Sequence, residues 1–168
     1  MKATLKLEDG REIAVDVSEE TLKQIEKPVK KTGYERVKLN DIYYLANTIG
    51  EIDGLYDNSL HNDLVYQAGN YYSDKTVAEN NARADILMRN LRRFAVEHRE
   101  RELDWKKNNF HKWSIEYNYD SKELYSDWSR ALRRLFGIYF DTKEAADTAI
   151  EEFKDELIWY FTEYKDSL

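Results

Sequence analysis

Three histidines, a run of arginines and a run of carboxylates are the residues whose types could do chemistry in this chain. His98 and Glu102 stand four apart, a spacing that puts two metal ligands on one helix face, but two ligands do not complete a site. His98 also falls on an apolar helical stripe, where a core or interface histidine is the simpler reading. His61-Asn62-Asp63 is a short donor cluster that equally fits a loop with an Asx turn. Asp53, Asp57, Asn58 and Asp63 lack the register and the final Glu of an EF-hand. Six scattered glycines build no phosphate loop. No serine or threonine has a recognisable nucleophile context. With no cysteine there is neither a disulfide framework nor a thiolate metal site. These residues lead us to expect no enzyme, no cofactor and no metal.

Charge is more informative than catalysis. The net charge is −7, but it is sorted along the chain. Residues 83–112 carry nine basic residues against five acids, a net of +4, and residues 141–168 carry three against nine, a net of −6. Arg89, Arg92, Arg93, Arg99, Lys106 and Lys107 could grip phosphates, with Trp105 or His111 stacking on bases. The same arginines could instead pair within their helix, Asp85 with Arg89 and Glu97 with Arg101, or with the acidic helix that follows. Glu151, Glu152, Asp155 and Glu156 form a carboxylate band that imitates a phosphate backbone to a partner, or simply faces solvent. Tyr125, Trp128, Arg130, Arg133 and Arg134 interleave aromatics with arginines, the residue types that dominate protein-protein hot spots. Sheet packing with an exposed basic turn is the plainer account of that stretch.

The elements that hold these residues read as α+β. Ala3, Leu5 and Leu7, then Ile13, Val15 and Val17, alternate with polar residues on either side of Asp9-Gly10, the signature of a hairpin closed by a two-residue turn. Ser18 to Thr21 reads as the start of a short helix that Pro28 ends. Lys27, Pro28, Lys30, Lys31 and Gly33 form the best linker candidate. Three segments follow: 1–31 as a hairpin and helix, 38–110 as strands with a long basic helix, and 111–168 as strands with an acidic helix.

The two longer segments look like a tandem repeat. Gly69-Asn70-Tyr71-Tyr72-Ser73-Asp74-Lys75 resembles Gly137-Ile138-Tyr139-Phe140-Asp141-Thr142-Lys143. Upstream of each lies an aromatic strand, Ile42-Tyr43-Tyr44-Leu45 in one and alternating Trp113, Ile115, Tyr117 and Tyr119 in the other. Thr76 and Glu79 have capping-box spacing for the first helix, whose stripe Ala84, Leu87, Leu91, Phe94, His98 and Trp105 predicts a run to Lys107 of roughly 30 residues and ~45 Å. The second helix is expected to start at Thr142 and to carry Ala146, Ala149, Ile150, Phe153, Leu157, Tyr160 and Tyr164 on one continuous stripe. Stripes this long pack on the sheets and on each other, or extend into a homodimer seam.

The paired pattern, an aromatic strand end, polar cap, Lys and Ala-rich helix at 69–82 and 137–153, preceded by Asp41-Ile42-Tyr43-Tyr44-Leu45, resembles short uncharacterised proteins of Firmicutes phages and mobile elements. The opening, Leu5, Glu8-Asp9-Gly10-Arg11-Glu12-Ile13 and Val17-Ser18-Glu19-Glu20, is similar to the start of many of them. These motifs carry no catalytic residue. The resemblance implies a phage or prophage accessory protein, of the kind that includes anti-CRISPR inhibitors. The expected function is inhibition of a bacterial defence machine, such as a Cas nuclease, by protein-protein contact. The alternatives are a nucleic-acid-binding protein using helix 83–107 and an oligomeric scaffold. No apolar run approaches the roughly 18 residues of a membrane span, and the N-terminus lacks a signal-peptide core, so a cytoplasmic protein acting in the bacterial host is expected.

Overall fold

A computed structural model describes residues 2–6, 10–16, 18, 31–58, 60–106, 110–134 and 137–167. It is α+β, with small antiparallel sheets and helices. The chain divides into two compact units, residues 1–31 and 32–168.

In the first unit, β1 (Lys2–Lys6) pairs antiparallel with β2 (Glu12–Asp16). The register sets Lys6 opposite Glu12. Of the expected Asp9-Gly10 turn, Asp9 lies outside the described residues. Gly10 takes φ +85°, the left-handed conformation that favours glycine in longer hairpin loops. The helix expected from Ser18 to Pro28 lies outside the described residues, Ser18 excepted.

The second unit holds two hairpins. The first is β3 (Ile42–Ala46) with β4 (Ile52–Tyr56), followed by α1 (Leu60–Gln67) and α2 (Lys75–Glu97). The second is β5 (Lys112–Asn118) with β6 (Glu123–Ser129), followed by α3 (Lys143–Glu152) and α4 (Lys154–Thr162). Each hairpin gains a third segment on the free edge of its first strand. Tyr72 exchanges both backbone hydrogen bonds with Tyr44, at 2.8 and 2.9 Å. Phe140 does the same with Trp113, at 2.8 Å each way. A polar residue then caps the next helix. Asp74 accepts from the N–H groups of Thr76 and Val77, so Asp74 rather than Thr76 starts α2. Thr142 accepts from Ala145 N–H at the head of α3.

Helix α2 is the spine, about 35 Å long at 1.5 Å per residue. Its start packs on the first hairpin through Val77 and Ala78, with Tyr72, Tyr34, Tyr44 and Ile52 around them. Its end packs on the second half through Leu87, Leu91, Phe94 and Ala95, against Phe140, Ala146, Ala149 and Leu157. Gly33 lies so close to this spine, at φ +89°, that a Cβ there would meet Val77 at 2.6 Å.

Two expected helices are shorter than their stripes. The α2 helix stops at Glu97, not Lys107, so Arg99, Trp105 and Lys106 leave the helical face. Buried Asp141 holds that exit: its Oδ2 accepts from the N–H groups of both Glu100 and Arg101 at 2.9 Å. The single C-terminal stripe is broken at Phe153, which turns the chain between α3 and α4 and puts its ring against Phe94.

Candidate interaction surface at the second hairpin

Antiparallel register decides which side chains share a face. Trp128 is opposite Trp113, on the face that also carries Ile115 and Ser126. Tyr125 is opposite Glu116, on the other face. Tyr125 and Trp128 are both nearly half exposed, but they point to opposite sides of the hairpin. Strand β6 is the outer strand, because β5 sits between it and Phe140.

At the open end of the hairpin the chain gathers cations and aromatic rings. The His111 ring stacks on Trp128 at 4.0 Å. The Arg130 guanidinium lies 5.7 Å from the Trp128 ring centre and donates to His111 Nε2 at 3.2 Å. Beside this group lies a second one. Lys112, fully buried, places Nζ 5.1 Å from the Trp105 ring and 4.9 Å from Phe110, and donates to the Arg130 carbonyl at 3.0 Å. Arg133 lies 5.6 Å from Trp105, Arg101 lies 4.5 Å from Phe110, and Trp105 meets Tyr139 edge-on at 4.7 Å. Six of the eight cation–aromatic contacts among the described residues fall between 101 and 143, so this end of the second half is where such contacts concentrate. Arg134 pairs with Glu116, and its N–H donates to the Tyr139 hydroxyl at 2.6 Å. Leu132, three-quarters exposed, is held by its N–H on Ser129 Oγ at 2.8 Å.

The basic residues expected to form one helix face separate, among the described residues, into two settings. Arg89, Arg92 and Arg93 are exposed on α2, where Arg89 reaches the Thr48 carbonyl at 3.3 Å and Arg93 faces Glu97 at 3.9 Å. Arg99 and Lys106 lie beyond the helix end, and Lys107 lies outside the described residues. In the acidic set, Glu151, Glu152 and Asp155 are exposed around the break at Phe153. Glu156 is engaged: Arg83 donates to both its oxygens, at 2.8 and 3.0 Å, and lies 3.9 Å over Trp159. That pairing holds the Glu156 carboxyl below its ordinary range.

The corresponding end of the first hairpin is closed. Arg36 grips Asp57 with two hydrogen bonds, 3.0 and 3.2 Å, and also pairs with Asp63. Asp57 is buried and accepts from Asn62 at 3.0 Å and from the Tyr71 hydroxyl at 2.9 Å. Arg36, then Asn62 and Tyr71, hold its carboxyl well below the usual carboxylate range. Burial pushes the Tyr71 phenol up to about 12. Tyr43 stacks on Tyr71 at 4.3 Å and donates to Asn62 at 3.1 Å. The donor cluster read at 61–63 is therefore part of an internal network through Asn62 and Asp63, and the His61 side chain lies outside the described ones.

Lys112, Phe110 and Arg101 carry the cation–aromatic group, yet the interleaved pattern at 125–134 did not include them. Their signal lies in the stretch from Arg101 to Trp113, where cations and rings also alternate. Among the described residues no group of three His, Asp or Glu is gathered as metal ligands would be. No described helix is long and apolar enough to cross a membrane. Comparison of the chain with protein-family models, with curated proteins and with solved structures found no match.

Proposed function

We propose that this protein is a binding factor that docks on an acidic surface of a protein partner through the open end of its second hairpin. The observation that carries the reading is the exposed group Trp128, Arg130, Leu132 and Arg133, in which Arg130 lies over the Trp128 ring and Arg133 over the neighbouring Trp105 ring. Tryptophan and arginine in such a setting are the residues most often found as interface anchors. The stacked rings fix their geometry before binding, which lowers the ordering cost of association. The sequence resemblance to phage and mobile-element proteins supplies the partner class: a bacterial defence machine of the Cas-effector kind, which docking would inhibit inside the host cell.

We further infer that the two hairpin-and-helix halves arose from one duplicated unit. Support comes from the shared order of hairpin, reciprocal bridge, polar cap and helix, with bridges at Tyr44–Tyr72 and Trp113–Phe140. In this reading the copies diverged where one end stayed closed and the other turned to a partner.

Affinity capture from a Firmicute lysate, with and without nuclease, tests the binding reading. A protein recovered in both arms is the expected result. Recovery that vanishes with nuclease and falls steeply with salt would instead assign function to phosphate contacts by Arg89, Arg92 and Arg93.

A further inference from the structure

A cavity of about 280 Å³ lies between α2, β5, the segment 137–140 and α4. Met88, Leu91, Ile138, Leu157, Tyr160 and Phe161 form much of its apolar wall. Its position follows from one difference between the halves. Two residues before Tyr72, the Asn70 amide continues the strand pairing, accepting from Ala46 N–H at 2.9 Å and donating to Ala46 O at 2.7 Å. Two residues before Phe140 stands Ile138, which has no polar group to do this and lines the cavity instead.

Two charges sit at this cavity, Glu116 and Arg134, paired with each other. They are not equivalent. The Glu116 side chain is only 20% exposed, projects from the central strand β5 and is braced by Ser114 Oγ at 3.2 Å. The Arg134 side chain is 63% exposed and hangs from an irregular segment. The anchored charge is therefore negative, and the positive one is free to swing into water. Tyr139, Phe140, Tyr160 and Phe161 add aromatic rings to the wall. A carboxylate fixed among rings is the arrangement that receives an organic cation.

From this geometry we propose that the cavity binds a small organic ammonium with an apolar body, the body among Leu91, Ile138 and Leu157 and the ammonium taking the place of the Arg134 guanidinium on Glu116. A body of roughly ten non-hydrogen atoms fits, at the ~30 Å³ that a water-sized group occupies in a liquid. The proposal is independent of the partner reading above, because it needs neither Trp128 nor Arg130.

The test uses 2-phenylethylammonium as the probe and 3-phenylpropionate as its anionic counterpart of similar size, titrated into the full chain to millimolar concentration. Methyl NMR signals of Leu91, Ile138 and Leu157 report binding. The cation should shift these signals and the anion should not. Glu116→Gln should weaken the cation by about tenfold or more, the scale of one charge-assisted hydrogen bond. Arg134→Ala should tighten it, since the internal competitor is gone. Ile138→Trp, which fills the cavity, should abolish binding with unfolding temperature kept, so loss of binding is separated from loss of fold. Preferential binding of the anion, weakened by Arg134→Ala, would overturn the proposal. So would unshifted methyl signals with both probes.

Discussion

The two hairpins of the second unit are built alike and end differently. Each takes a third segment through one reciprocal bridge, and each uses a carboxylate to catch two N–H groups of the loop that leads into it. In the first half Glu35 accepts from Thr32 and Gly33, and in the second Asp141 accepts from Glu100 and Arg101. At the hairpin base they part. The first half spends its arginine, Arg36, on Asp57, whose carboxylate also accepts from Asn62 and Tyr71. It still shows Leu39, Ile49, Tyr56 and Leu64 to solvent, and its one cation–aromatic contact among the described residues is Arg36 over Tyr66, at 5.8 Å. The second half leaves Trp128, Arg130 and Arg133 outward. Under the proposed function, this difference marks the second base as the contact surface.

The largest effect should come from breaking what the halves share. Phe140→Ala removes a buried ring that joins the bridge to α2 and α3, and should cost about 3–5 kcal/mol in denaturant unfolding. Asp141→Ala comes next. It strands two N–H groups of the 100–101 loop and should cost about 1–3 kcal/mol, with amide exchange accelerated there rather than in the first hairpin.

Acid separates the halves more finely. The N–H groups of Thr32, then those around it, hold the Glu35 carboxyl down to about 2, and Asp57 lies below its usual range through Arg36. Both are more acidic folded than unfolded, so their stabilisation is complete above pH ~4 and is lost as the pH falls from there toward 2. Glu35→Gln should flatten that limb of an unfolding-against-pH curve. An unchanged slope would remove Glu35 from the account. The smallest effect belongs to the surface. Trp128→Ala should cost about 1 kcal/mol or less in the same unfolding assay, because the half-exposed ring loses only its stack on His111, its contact with Arg130 and its cross-strand pairing with Trp113.

Much of this fold was legible in the residues. Period-two alternation marked β5, and aromatic strand ends followed by a polar cap marked both bridges. Helix ends were not legible. The stripe that predicts a helix to Lys107 is real in spacing, but Asp141, forty residues on, takes the N–H groups that would have continued it. A distant carboxylate leaves no trace in local periodicity. The same holds for Phe153, whose apolar spacing suits one long helix while its ring is drawn toward Phe94. On the surface, the interleaved order of aromatics and arginines singles out Trp128, Arg130 and Arg133, and all three are exposed. That Tyr125 faces the other way follows only from register, and that Arg36 closes the first base follows only from tertiary pairing with Asp57.

The central claim is that the second base, and not the first, meets the partner. Affinity capture with two double variants tests it most directly: Trp128→Ala with Arg130→Glu in the second half, and Leu39→Ala with Tyr56→Ala in the first. The account predicts that the second-half variant loses the partner by about thirtyfold or more, the scale of an interface anchor, while the first-half variant retains it. Retention by the second-half variant with loss by the first-half variant would contradict the account.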